Sequence, residues 1–264
     1  MSDNIKNYCD MTQRPWGRMF YDLIRLQLDV PTNPRLRILD FGSGFGITAD
    51  HYAKFHDVTA VEPNADMLSL RSAANAYMQI YGGIESLTGL DGQFDLVLCH
   101  NVLEYAPNRG EIISALSRAL TPTGMLSVIK HNLYGKVMAA AVFEENPAKA
   151  AELLDGTFTE KSRYFGDGQM QVYSENDLLN MAANSGLTLE AHYGIRTFFA
   201  LTQNNDVKYK EEWYKPMLDL EYKVCNIDEF RRIAASNHYI FKNTPRTYER
   251  LLFENDVRFS KQFS

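Results

Sequence analysis

The stretch RILDFGSGFG (37–46) opens as a buried strand and closes as a glycine turn, with Asp40 near the junction. Apolar side chains at Ile38, Leu39 and Phe41 suit a strand covered on both faces. Gly42, Gly44 and Gly46 then free the backbone to take left-handed torsions and to approach a ligand closely. A tight strand-to-helix turn alone would use the same glycines. Their place directly after a strand, and before a helical pattern over 47–55, favours a ligand loop. The spacing is G-x-G-x-G behind an acidic residue. It is not the G-x-G-x-x-G that cradles a pyrophosphate, so NAD and FAD are disfavoured.

Outward from this stretch, DVTAVE (57–62), FDLVLCH (94–100) and MLSVIKH (125–131) read as further buried strands, with a weaker one at 78–83. Helical patterns fill 47–55, 65–77 and 111–120, and Thr-Pro-Thr-Gly at 121–124 closes the last of them. Strands alternating with helices predict an α/β fold with a parallel sheet and crossover helices. Glu62 ends the second strand. A carboxylate there can accept both hydroxyls of a ribose, or can simply be a solvated strand end.

Beyond His131 the pattern changes. Residues 136–154 read as a helix and 155–173 as an irregular, aromatic insertion. Ser174 and Asp177 open a helix that Gly186 terminates. Residues 187–202 alternate like a strand, 208–236 are helical and charged, and HYIFK (238–242) reads as the last strand completing the sheet. The expected organisation is one domain over 1–243, with an N-terminal helical segment at 1–30, a cap insert at 133–173 and a tail at 244–264.

The 264 residues, 45% hydrophobic and 23% charged, suffice for a full-sized core. A net charge of -6 gives no general attraction for nucleic acid and leaves only a local basic patch open. Cys9, Cys99 and Cys225 are odd in number and far apart, which suggests neither disulfides nor a CxxC metal site. Acidic residues do not cluster with His at ligand spacings, so no metal is expected. The N-terminus lacks the apolar run of a signal peptide and no stretch has transmembrane length, which points to the cytoplasm and to no membrane partner.

DFGSGFG, VTAVEPNADML, FDLVLCHNVLEYAPN and ISALSRALTPTGMLSVI together resemble the class I methyltransferases. The resemblance implies a Rossmann-like sheet, mostly parallel with its last strand antiparallel, and S-adenosyl-L-methionine as cofactor. It implies that Asp40, Gly42, Gly44 and Gly46 hold the amino-acid part of that cofactor and Glu62 its ribose. Met67 and Leu68 would pack on the adenine, Glu85 would accept from the adenine amine, and His100 would line the methyl-donor pocket. On helical periodicity alone Met67 and Leu68 are equally ordinary core.

CHNVLEY (99–105), LSVIKHNLYGKVM (126–138), YGIRTFF (193–199) and LDLEYKVCNIDEFRRIAASNHYIF (218–241) are similar to the bacterial tRNA 5-carboxymethoxyuridine methyltransferases, which esterify a carboxylate on a modified wobble uridine. By that likeness Arg18 would meet the cofactor carboxylate. Arg196 follows an apolar strand among aromatics, where its guanidinium could pair with a substrate carboxylate. Open parallel sheets bind ligands at the carboxyl ends of their strands, which would set His131 and Tyr134 above the donor methyl. The alternatives are that Arg18 is a surface residue of an amphipathic helix and that Arg196 closes a strand beside an acidic helix. An ionised carboxylate is already a nucleophile, so no general base is assigned. For a hydroxyl or amine acceptor, His100 or His131 would take that role. Lys161, Arg163, Lys208, Lys210, Lys215, Arg231 and Arg232 are the candidates for a tRNA footprint. A small-molecule metabolite is the alternative acceptor, with a solvated charged face as the ordinary reading of those cations.

Overall fold

The apolar runs expected as strands form one seven-stranded sheet in the computed structural model, which describes residues 3–156, 160–161, 169–171 and 173–244. Its strands are β1 (Arg37–Phe41), β2 (Asp57–Glu62), β3 (Met78–Tyr81), β4 (Phe94–His100), β5 (Leu120–His131), β8 (Leu187–Ile195) and β9 (Ser236–Asn243). They lie in the order β3-β2-β1-β4-β5-β9-β8. The first five pair in parallel, and β9 runs antiparallel to both β5 and β8, as a Rossmann-like methyltransferase sheet requires. A separate two-residue pairing joins β6 (Glu160–Lys161) to β7 (Gln169–Met170).

Successive strand residues feed two cores, which is why these strands read as continuous apolar runs. Leu39, Val97 and Cys99 pack with α5 (Arg109–Ala119) and α8 (Glu175–Asn184) on one face. Ile38, Leu96 and Leu98 pack on the other face with α2 (Pro15–Leu28), α3 (Ile47–Ala53) and α10 (Glu211–Val224). The strand order reverses between β1 and β4, so a crevice opens where their carboxyl ends diverge. Glu62 and His100 end β2 and β4 there, with Asp40 one residue short of the end of β1.

Several expected boundaries move. The helix expected over 65–77 is only α4 (Ala65–Ser69). Its continuation is captured by the Asp50 carboxylate, which accepts from the backbone of Ala74 and Asn75 at 2.7 and 2.8 Å. Residues 121–124 do not close a helix but run inside β5, whose register against β4 shifts between Phe94 and Leu96. The helix expected over 136–154 is two, α6 (Leu133–Val142) and α7 (Pro147–Leu154), because Asn146 caps Lys149 and Pro147 occupies the first turn. The strand expected to reach 202 ends at Ile195, and a short helix α9 (Phe198–Leu201) follows. The charged segment 208–236 splits into α10, α11 (Asp228–Arg231) and the start of β9.

The N-terminal segment is likewise two helices, α1 (Asp3–Gln13) and α2, broken at Pro15. Gly17 permits their close crossing, since a Cβ there would run into the backbone of Thr12. The insertion expected at 155–173 lies largely outside the described residues, as does the tail beyond Thr244.

Candidate functional site

The glycine loop has the torsions its sequence calls for, with φ of +75° at Gly42, +56° at Gly44 and +75° at Gly46. A Cβ on Gly42 would collide with the side chain of Val102, just past β4, so only glycine lets the two strand ends meet here. Glu62 ties this loop to β2. One carboxylate oxygen accepts from the Gly44 N–H at 2.7 Å and the other from Asn64 N–H at 2.8 Å. Burial pushes its carboxyl up, and these two donors pull it back down.

Asp40 is buried with no partner for Oδ2. Its carboxyl is pushed up to about 7, first by burial and then by the neighbouring Glu62. Ser43 Oγ and Asn101 Oδ1 are also buried and unpartnered. Asn101 follows β4 in a left-handed conformation, φ 54°, which Asn tolerates better than most residues. These groups surround a cleft of about 380 Å³, with Met67 and His100 in its walls. Tyr8 and Thr12 of α1 and Trp16, Phe20 and Tyr21 of α2 cover it from above.

A second cavity of about 470 Å³ shares Trp16, Tyr105, His131 and Arg196 with the first. Arg196 sits at the junction in a left-handed conformation, φ 60°. Glu221 of α10 sets that turn by accepting from the backbone of Thr197 at 2.8 Å and Phe199 at 2.6 Å. The Arg196 guanidinium donates Nη1–H to the Trp16 carbonyl at 3.3 Å and lies 5.6 Å from the Phe20 ring centroid, while its Nε is buried without a partner. Burial lowers its pKa and Glu221 raises it again, leaving a charged guanidinium against an aromatic wall. Lys136, Glu144, Lys149, Leu153 and Met170 line the far side of this cavity.

His100 lines the first cavity and His131 both, as neutral imidazoles, each pushed down to about 3 chiefly by burial. Groups so weakly basic are poor general bases near neutrality, which counts against that alternative role. The His131 N–H is held by Glu104 at 2.6 Å, fixing the end of β5.

Four expected site residues lie elsewhere. Arg18 turns outward, its side chain 46% exposed, pairing with Glu211 and stacking its guanidinium 3.9 Å from the Tyr214 centroid. The surface reading of that residue holds because α10 offers a carboxylate and a ring on the outside. Glu85 is exposed and its carboxylate bends back to the Gly83 N–H at 2.6 Å. Tyr134, in the first turn of α6, is 53% exposed and outside both cavities. Leu68 is half-buried beside Met67, outside the cleft lining.

Three cations of the expected basic footprint are engaged from within the fold. Lys208 is buried between the Trp16 and Phe199 rings at 5.0 and 4.8 Å, and Arg231 and Arg232 both pair with Asp228. Lys210 and Lys215 are exposed. Arg163 and the side chain of Lys161 lie outside the described residues. The sequence reading missed Glu221, Asn101 and the α1–α2 cover. The run RPWG (14–17), a helix start carrying an aromatic and a glycine, was the available signal for the cover.

Residues 39–128, from β1 into β5, match a family model described as a methyltransferase domain. This chain is an S-adenosylmethionine-dependent methyltransferase. The matched span holds the glycine loop, Glu62, Met67 and His100. Over 223 residues the methyltransferase is 24% identical to a ubiquinone biosynthesis O-methyltransferase of Burkholderia orbicola, covering 78% of this chain and 93% of the relative. Over 213 residues it is 23% identical to the tRNA 5-carboxymethoxyuridine methyltransferase of Escherichia coli, covering 77% and 78%. The solved S-adenosylmethionine dependent methyltransferase of Mesorhizobium loti shares the fold, with a TM-score of 0.54 at 16% identity over 82% of this chain and 95% of that one. The two curated relatives act on different acceptors at nearly equal distance. No helix among the described residues is long and apolar enough to cross a membrane.

Proposed function

We propose that this methyltransferase places the donor in the 380 Å³ cleft and transfers its methyl group to an acidic oxygen of a compact acceptor held by Arg196. The supporting observation is the Arg196 guanidinium itself, half-buried, aromatic-walled and with its buried Nε unpaired where the two cavities join. A half-buried cation with a free donor favours an anionic group, and its planar fork suits a carboxylate.

The cleft residues fit S-adenosylmethionine. The unpartnered oxygens of Asp40 and Asn101 offer acceptors to an ammonium, Glu62 keeps a second lone pair on each oxygen to offer ribose hydroxyls, and Met67 offers an apolar wall to the adenine. When bound, the cofactor supplies a methyl carbon made electrophilic by its sulfonium. Arg196 then holds the acceptor oxygen ionised and aimed, and Trp16, Phe20 and Tyr105 exclude water from the junction. A carboxylate or phenolate needs no proton removed at transfer, in keeping with the two neutral histidines.

Lys208 withdrawn between two rings, and Arg231 and Arg232 paired with Asp228, favour a small acidic metabolite as acceptor. A carboxymethoxy group on a tRNA wobble uridine is the second reading, supported by the Escherichia coli relative and by a cationic pocket with flat aromatic walls. Labelled methyl transfer by the purified enzyme to a panel of small carboxylic acids and phenols, and to tRNA from a deletion strain, separates the two. Arg196→Met should lower kcat/KM on the accepted substrate by about a hundredfold, as loss of a charged hydrogen bond implies. A variant within twofold of wild type would sink the proposed role of Arg196.

A further inference from the structure

A buried line of hydrogen bonds crosses the sheet beneath α2 and ends in the cleft, and the polarity of each link follows from its far end. Gln27 of α2 donates Nε2–H to the Gly194 carbonyl at 2.9 Å. A carbonyl only accepts, so the amide orientation is fixed and Oε1 points the other way. That oxygen lies 2.8 Å from His238 Nδ1, which must therefore carry the proton. Burial keeps His238 neutral, so its Nε2 is bare and accepts from the Ser127 hydroxyl at 2.7 Å. With its proton spent, Ser127 Oγ accepts from Nε2–H of His100 at 2.8 Å. The remaining nitrogen of a neutral His100, Nδ1, is then a lone pair on a residue that lines the cleft.

We propose that Gln27, His238 and Ser127 are positioning residues that hold His100 in a single tautomer, so that its bare Nδ1 accepts a hydrogen bond from the methionine ammonium of the bound donor. This rests on the donor placement argued above. Three of the four groups are fully interior, Gln27 at 6% exposure, Ser127 at 0% and His238 at 0%, and each link is within 3 Å. The direction set by the Gly194 carbonyl leaves an acceptor rather than a donor on a residue of the cleft wall. A donor at that place would repel an ammonium. The orphan oxygens of Asp40 and Asn101 present the same polarity in the same cleft.

The test uses the full chain labelled with 15N-histidine, which carries six histidines, and two-bond nitrogen–proton correlation spectra assigned by substituting the histidines singly. The expected spectrum has His238 as the Nδ1–H tautomer and His100 as the Nε2–H tautomer. Ser127→Ala should leave His100 a mixture of tautomers and weaken calorimetric binding of S-adenosylhomocysteine, which carries the ammonium, by about tenfold. Ser127→Thr, which keeps the hydroxyl, should restore both. A wild-type spectrum with His100 as Nδ1–H overturns the proposal without any variant having to fold. So does a Ser127→Ala protein whose tautomers mix while its affinity stays within twofold. If Glu62→Ala leaves the affinity unchanged, the donor placement has failed and the proposal with it, whatever the tautomers show.

Discussion

Asp40→Asn removes a charge that the fold has withdrawn from water, and its consequences differ for folding and for binding. The Asp40 carboxyl rises from 3.8 to about 7 in the folded protein. A folded value above the unfolded one means that stability is fully present below about pH 4 and is lost as pH climbs through 7. At about 1.4 kcal/mol per pH unit, the raised Asp40 pKa costs the fold about 1.7 kcal/mol at pH 5, where folding must protonate the carboxylate, and about 4 kcal/mol at pH 8, where the fold carries it ionised. Asn is isosteric and does not titrate, so its stability advantage over Asp should grow by about 2.5 kcal/mol between those two values. Urea denaturation of both proteins without cofactor, at pH 5 and pH 8, measures the difference directly. Calorimetry should show the opposite preference, with S-adenosylhomocysteine bound at least about tenfold more weakly by the variant for want of a carboxylate facing the ammonium. Wild-type affinity should itself decline as pH falls below 7, because binding must then expel a proton from Asp40. An advantage that stays flat with pH, or a variant less stable than wild type at pH 8, would refute this account of Asp40.

Gly42→Ala should destabilise the protein by about 1–3 kcal/mol, since the loop must hold a side chain at φ +75° against Val102, and should lower donor affinity more than stability alone explains; thermal melts with and without S-adenosylhomocysteine separate the two. Glu221→Gln replaces an acceptor of two backbone N–H groups by an amide that offers one oxygen, so the Arg196 turn loosens and the acceptor KM should rise about tenfold while donor affinity holds. Steady-state kinetics with each substrate varied will show it, and a change in donor affinity alone would contradict it. Arg18→Ala should leave donor affinity within about twofold by calorimetry, because the pair with Glu211 is exposed.

How much could be read in advance follows from how local each cause is. The strands and the glycine loop were legible because a two-faced apolar run followed by G-x-G-x-G is a local pattern with a local consequence. The capping box at Ser174 and Asp177 and the stop at Gly186, φ 78°, are local in the same way. The end of α4 was not legible, since Asp50 captures Ala74 and Asn75 from 25 residues away or nearly so. Arg18 and Arg196 show the same limit inside the site. Each had two readings, and the acidic residue of α10 that bears on them, Glu211 for one and Glu221 for the other, lies beyond the reach of any helical or strand period. Arg196 kept both of its readings at once, as a strand-closing residue beside an acidic helix and as the cation of the cavity.

Trp16 stands between the two cavities, lining both and placing its carbonyl on Arg196. A lineage that altered this side chain to admit a new acceptor would disturb the holding of the donor in the same step, so drift in substrate range is channelled away from α2. The far wall, where Ala139, Leu153 and Met170 touch only the second cavity, is the part of the molecule left open to experiment by mutation.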